Sequence, residues 1–129
     1  MADVTKLVQK IEAECSGKAP DAVKVVRLLA DALDEPCRNA DRHRAYNGAM
    51  QIAMHAPRLK AMLHDKQRPE FQNRCVGACF KLPDARSQWA VAHVLHFAGV
   101  HMNCGHLWPS ESYAAQSSYT MPEPVKVTV

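Results

Sequence analysis

Five side chains that can bind metals or transfer protons lie close together in the last third of the chain. They are His93, His96, His101, Cys104 and His106. Residues three apart on a helix point the same way, so the imidazoles of His93 and His96 could share one ion. Cys104 and His106 would complete a nitrogen and sulfur ligand set of the kind that zinc prefers. The first chemical hypothesis is therefore zinc binding by His93, His96, Cys104 and His106.

Two features of the neighbouring sequence argue against a metal site. No carboxylate that could orient the histidines occurs between Asp84 and Glu111. The paired CxxC or HxxxH elements that usually accompany structural zinc are also absent from the sequence. The alternative is that His93 and His96 pack beside Trp89, with their ring nitrogens bonded to polypeptide oxygens. We therefore expect a protein without a cofactor and keep zinc as the alternative.

A nucleophilic cysteine is the second chemical hypothesis. Cys104 has His101 and His106 close in sequence, and a helix end can expose a thiol. The reaction also needs an orienting group and a backbone turn that binds an oxyanion. Asn103 could orient a histidine, but no glycine-rich elbow precedes the cysteine. Because the catalytic set is incomplete, the sequence predicts a protein that is not an enzyme.

These residues belong to a stretch, 87–110, that contains no Asp, Glu, Lys or Arg. The flanking cap and stop residues predict a helix over 85–103. Apolar side chains fall on both of its sides, as in a central helix or one that also packs against a partner. One side, called the Trp/His face below, consists of Trp89, His93, His96 and Val100 together with Trp108. This face could be core, a homodimer seam or a partner-binding surface, and we take partner binding as the hypothesis.

The rest of the chain repeats apolar residues at helical spacing, divided by proline and glycine. Alanine and leucine are abundant and β-branched runs are few, which favours helices over strands. We expect an all-α fold, a compact bundle of five or six helices around the uncharged helix at 85–103. Residues 1–109 should form one helical domain. Residues 110–129 should form an irregular tail, extended or partly disordered.

Positive charge is concentrated in the middle of the chain. Between residues 37 and 86 there are ten Lys and Arg residues against four Asp and Glu residues, although the net charge of the whole chain is only +3. The candidate binding residues in this region are Arg38, Arg42, Arg44, Arg58, Lys60, Lys66, Arg68 and Arg74. They could bind an acidic protein surface or a phosphate backbone. No helix-turn-helix pattern or alternation of aromatic and basic residues supports nucleic-acid binding specifically.

The N-terminal residues lack the apolar stretch of a secretory signal, and the uncharged stretch contains too many polar residues for a membrane span. Five cysteines without a paired motif are typical of reduced thiols. The sequence thus predicts a cytoplasmic protein without membrane association.

The functional prediction is a small non-enzymatic binding or regulatory protein, of inhibitor type, that acts through a macromolecular interface. Its partner should be a protein, and self-association is a further expectation. Nucleic-acid binding by the basic region and metal binding by the histidine cluster are the alternatives.

Overall fold

The computed structural model describes residues 4–64, 69–100, 102 and 108. In this part of the chain there are seven helices and no strands. The helices are α1 (Val4–Cys15), α2 (Ala22–Ala32), α3 (Asp34–Arg38), α4 (Arg42–His55), α5 (Pro57–His64), α6 (Pro69–Phe80) and α7 (Ala85–Phe97). The predicted all-α bundle is therefore confirmed. The predicted tail at 110–129 lies outside the described residues.

Aspartate residues begin three of the helices. The carboxylate of Asp21 accepts the N–H groups of Val23 and Lys24 at 3.0 and 3.3 Å at the start of α2. Asp41 and Asp84 cap α4 and α7 in the same way. Each carboxylate satisfies backbone donors that have no partner within the helix, and its charge is favourable near the positive end of the helix dipole.

The uncharged helix is the central element, as predicted. Every residue of α7 from Gln88 to Leu95 is buried, so no side of this segment faces solvent. The helix packs against α2, α3, α4 and α6. Gln88 connects α7 to the preceding turn through a hydrogen bond, in which its Nε2 donates to the carbonyl oxygen of Leu82 at 2.6 Å. An uncharged sequence is required here because a buried charge without a partner is costly.

Helix α7 ends at Phe97, earlier than the predicted limit of residue 103. Gly99 adopts a φ of +116°, a conformation that strains residues with a Cβ. The N–H of Gly99 donates to the carbonyl of His96, and the N–H of Val100 donates to the carbonyl of Leu95. This pair of bonds is the Schellman arrangement that terminates a helix at glycine. The prediction of a longer helix was wrong because Gly99 was treated as an interior residue.

The described part of the chain contains no helix long and apolar enough to cross a membrane.

Candidate functional site

Most of the Trp/His face lies inside the fold. Trp89 and Val100 are almost completely buried, and His93 is only 8% exposed. Helix α4 covers this region, with the ring of Tyr46 5.6 Å from the ring of His93. His96 is exposed. Among the residues of this face that belong to α7, His96 is the exposed one. Partner binding by the Trp/His face stays a prediction.

Trp108 packs against the covered part of the Trp/His face. Its ring meets the Trp89 ring edge-on, with 4.8 Å between centroids, and the side chain is partly buried. The guanidinium of Arg86 lies 5.9 Å from the centroid of the Trp108 ring. Trp108 therefore contributes to packing over α7.

His93 is held as a structural residue by its own helix. Its Nδ1 lies 2.7 Å from the carbonyl oxygen of Trp89. Because a carbonyl oxygen can only accept, Nδ1 carries the hydrogen of this bond. The ring also lies against the Trp89 ring, with centroids 4.0 Å apart. His93 is therefore a packed histidine bonded to a backbone oxygen, which was the alternative to metal binding.

Zinc binding stays a prediction. Within the ranges that the structure describes, no group of three or more His, Cys, Asp or Glu side chains is placed to hold a metal ion. His93 is buried whereas His96 is exposed, so the two imidazoles have different surroundings. The other predicted ligands, Cys104 and His106, lie outside the described residues.

The described cysteines are suited to packing and not to nucleophilic attack. Cys15, Cys37, Cys75 and Cys79 are buried. Burial, reinforced by the nearby carboxylates of Glu12 and Glu14, raises the pKa of Cys15 to about 12. Burial also raises the pKa of Cys37 to about 12 and that of Cys75 further. The thiolate is the reactive form, so these three thiols are inert near neutral pH. The candidate nucleophile, Cys104, lies outside the described residues.

Two surface depressions meet at Met62. One, of about 380 Å³, is lined by Cys15, Pro57, Arg58, Ala61 and Met62. The other, of about 430 Å³, is lined by Lys18, Ala19, Pro20, Met62, Pro69, Glu70, Phe71 and Arg74. Among the described residues, neither lining combines an activated nucleophile with a general base, which a covalent mechanism requires.

Half of the described basic candidates are paired with carboxylates. The distances below run from a guanidinium nitrogen to a carboxylate oxygen. They are 3.5 Å for Arg38 and Asp34, 2.5 Å for Arg44 and Glu35, and 3.6 Å for Arg74 and Glu70. Three other candidates are exposed and have no ion pair within the described ranges: Arg42, Arg58 and Lys60. Lys66 and Arg68 lie outside those ranges. The pairing reduces the positive field that the sequence suggested.

A different surface stands out on α4. Tyr46, Met50 and Met54 are spaced four residues apart and form a strip along one side of the helix, called the Tyr46–Met54 strip below. Met54 is 66% exposed and Tyr46 is 41% exposed, while Met50 is partly buried. Among the described residues, only one other large hydrophobic side chain, Val23, is exposed.

The aromatic core fixes one end of the Tyr46–Met54 strip. The Tyr46 ring meets the Phe97 ring edge-on, with 5.3 Å between centroids, in addition to its contact with His93. Phe97 is itself partly exposed at the end of α7, beside the exposed His96. A tyrosine held in this way has little freedom left to lose when another molecule covers it.

No protein-family model, curated protein or solved structure matches this chain.

The sequence does contain a signal for the α4 surface. From residue 45 to residue 57 there is no Asp, Glu, Lys or Arg, although the flanking positions are Arg44 and Arg58. The absence of these four residue types also distinguishes the uncharged stretch at 87–110. The polar residues Gln51 and His55 on the outer side of α4 make this face resemble an ordinary solvated one, and so the exposed methionine is easily overlooked.

Proposed function

We propose that this protein is a small non-enzymatic binding protein that regulates a partner protein, in the manner of an inhibitor, by covering part of the partner's surface. The binding surface is the Tyr46–Met54 strip together with Phe97. The observation that carries the proposal is the exposure of Met54 and Tyr46 on a helix without charged residues between 45 and 57.

The composition of this surface supports a protein partner. The centres of protein interfaces are enriched in aromatic residues and methionine and depleted in Lys, Glu and Asp. The Tyr46–Met54 strip and Phe97 have that composition. The partner surface should accordingly be uncharged and apolar, because a charged partner would lose solvation there without gaining an ion pair.

The described cysteines support a reducing compartment. Within the described part of the chain, Cys15, Cys37 and Cys75 form no disulfide. Disulfides form and persist in oxidising compartments. We therefore propose a cytoplasmic location.

Paired variants test the proposed binding surface. Met54→Asp places a carboxylate at the most exposed position of the strip, whereas Val23→Asp places one at the exposed hydrophobic residue on α2. We expect Met54→Asp to weaken binding of a captured partner at least about tenfold, and Val23→Asp to leave it unchanged. Titration of each variant with the same purified partner gives the comparison. Equal affinities for the wild type and both variants would exclude this surface.

Nucleic-acid binding is the less supported alternative. Three of the basic candidates are already paired with carboxylates, which leaves Arg42, Arg58 and Lys60 unpaired within the described ranges. Such binding would weaken steeply as salt is added, whereas apolar contacts through Met54 would not. A salt series during partner titration therefore separates the two functions.

A further inference from the structure

We propose that Met54 is a site of reversible oxidation, and that its conversion to methionine sulfoxide by a hydroperoxide weakens binding through the Tyr46–Met54 strip. The inference rests on the proposed function, since it names a means of regulating that same surface. Three observations on the described residues support it: the exposure of Met54, the burial of the cysteines and the position of Met54 on the outer side of α4.

Met54 is the described methionine that an oxidant in solution reaches most easily. It is 66% exposed, whereas Met102 is 5% exposed. Met50 and Met62 are partly buried. A peroxide must reach the sulfur atom directly, so the rate at which a methionine is oxidised increases with its exposure. We therefore expect Met54 to be oxidised first among these four residues.

The described cysteines compete poorly for the same oxidant. All of them are buried, and burial is the main reason that the pKa values of Cys15 and Cys37 are raised to about 12. A thiol reacts with peroxide as its thiolate, whereas a thioether has no proton to lose before it reacts. Near neutral pH, Met54 should therefore react before these thiols, at a rate that depends little on pH.

The reaction transfers one oxygen atom to the side chain. A lone pair of the Met54 sulfur attacks one oxygen of the hydroperoxide, so that an S–O bond forms and the O–O bond breaks. The sulfur loses two electrons, and hydrogen peroxide is reduced to water. Methionine sulfoxide reductases reverse the change, with two electrons from a dithiol, and the oxygen atom leaves as water.

The position of Met54 separates an effect on binding from an effect on folding. The sulfoxide is polar, so its burial in an apolar interface without a hydrogen bond is costly. In the free protein the exposed Met54 keeps the added oxygen in water, whereas the same change at Met102 would place it in the core. Oxidation of Met54 should weaken partner binding at least about tenfold and leave the urea unfolding curve unchanged.

Limited treatment of the full chain with hydrogen peroxide tests the site. Peptide mapping by mass spectrometry should find sulfoxide at Met54 at least about three times faster than at the other three described methionines. Retention on a phenyl column reports the exposed apolar surface. Peroxide should reduce the retention of the wild type and of Met62→Leu more than that of Met54→Leu, and a sulfoxide reductase should restore it. Equal oxidation of the four methionines, or equal losses of retention in all three proteins, would overturn the inference.

Titration with the purified partner distinguishes this inference from the proposed function. Peroxide should weaken binding at least about tenfold in the wild type and in Met62→Leu, and much less in Met54→Leu. If Met54→Asp binds weakly while the oxidised wild type binds as before, oxidative regulation is excluded and the proposed function stands. If neither change weakens binding, both are excluded.

Discussion

At the scale of single residues, burial determines which reactive side chains retain their chemistry. Cysteine and histidine were the most suggestive residue types in the sequence. In the described part of the chain, the cysteine thiols are buried, and His93 is bonded to the backbone of its own helix. Spacing along the sequence shows which side chains lie near one another on a helix, but not which sides of the helix its neighbours cover. For this reason His93 and His96, three residues apart, have different environments.

The raised pKa of Cys37 predicts a loss of stability in alkali. The pKa is about 12 in the fold, because of burial and of the nearby Asp84 and Asp34, against an ordinary value of 9.0. The unfolded chain therefore loses this proton first as the pH rises. The contribution to stability is complete below pH 9 and decreases towards pH 12, by up to about 1.4 kcal/mol per pH unit.

Urea unfolding at a series of pH values measures this effect. Cys37→Ala removes the titrating group, so its free energy of unfolding should fall less steeply with pH above 9 than that of the wild type. Comparison of the two slopes removes the contribution of lysines and tyrosines that titrate in the same range. If the free energy of unfolding decreased equally with pH in both proteins, the raised pKa of Cys37 would be contradicted.

Two glycines should respond in opposite ways to alanine. At Gly99 the φ of +116° is unfavourable for any L side chain, and a Cβ would overlap the His64 ring. We expect Gly99→Ala to lower the free energy of unfolding by about 1–3 kcal/mol. Gly77 lies within α6 with open space around it, so Gly77→Ala should raise stability by roughly 0.5–1 kcal/mol. Thermal or urea unfolding measures both changes, and a stabilising Gly99→Ala would refute the role of this glycine in ending α7.

At the scale of helices, sequence periodicity predicted the main elements well but located some of their ends poorly. The apolar repeat and Asp84 correctly indicated the start and the central position of α7. A proline usually ends a helix, but Pro36 lies within the separate short helix α3. A proline can occupy the first turn of a helix, where its missing N–H has no partner to lose. The sequence pattern alone did not distinguish these two uses of proline.

The start of α4 shows a similar ambiguity. Asn39 and Asp41 both have side chains that could cap this helix, and Asp41 is the residue that does so. Between them Ala40 adopts a positive φ of 56°, and the N–H of Asp41 bonds to the carbonyl of Pro36 at 2.9 Å. Asparagine and aspartate are both good caps, so the turn geometry decides which of them precedes the helix.

The Asp21 cap supplies a test at this scale. Its carboxylate accepts two backbone N–H groups at the start of α2. Asp21→Ala should lower the free energy of unfolding by about 1 kcal/mol, within the usual range of roughly 0.5–2 kcal/mol for such caps. Asp31→Ala is the matched control, because Asp31 is an exposed aspartate within the same helix. Equal decreases in the free energy of unfolding of the two variants would show that the loss of a negative charge, and not the loss of the cap, causes the destabilisation.

At the scale of the whole molecule, two uncharged stretches have different uses. Residues 88–95 of the first stretch lie in the centre of the bundle, where charge would be costly. Most of the second uncharged stretch, residues 45–55, lies in α4, which has one buried side and one exposed side, and the exposed side retains tyrosine and methionine. The sequence predicted the first use because both sides of α7 are apolar. The lack of charge at 45–57 is also visible in the sequence, but polar residues such as Asn47 and Gln51 alternate with the exposed methionine and conceal the second use.

We propose that the protein binds another protein surface through the Tyr46–Met54 strip. Titration of the wild type, Met54→Asp and Val23→Asp with one purified partner protein tests this proposal. We expect at least about tenfold weaker binding for Met54→Asp alone, with little dependence on salt. Unchanged binding by Met54→Asp, or equal losses in both variants, would contradict it.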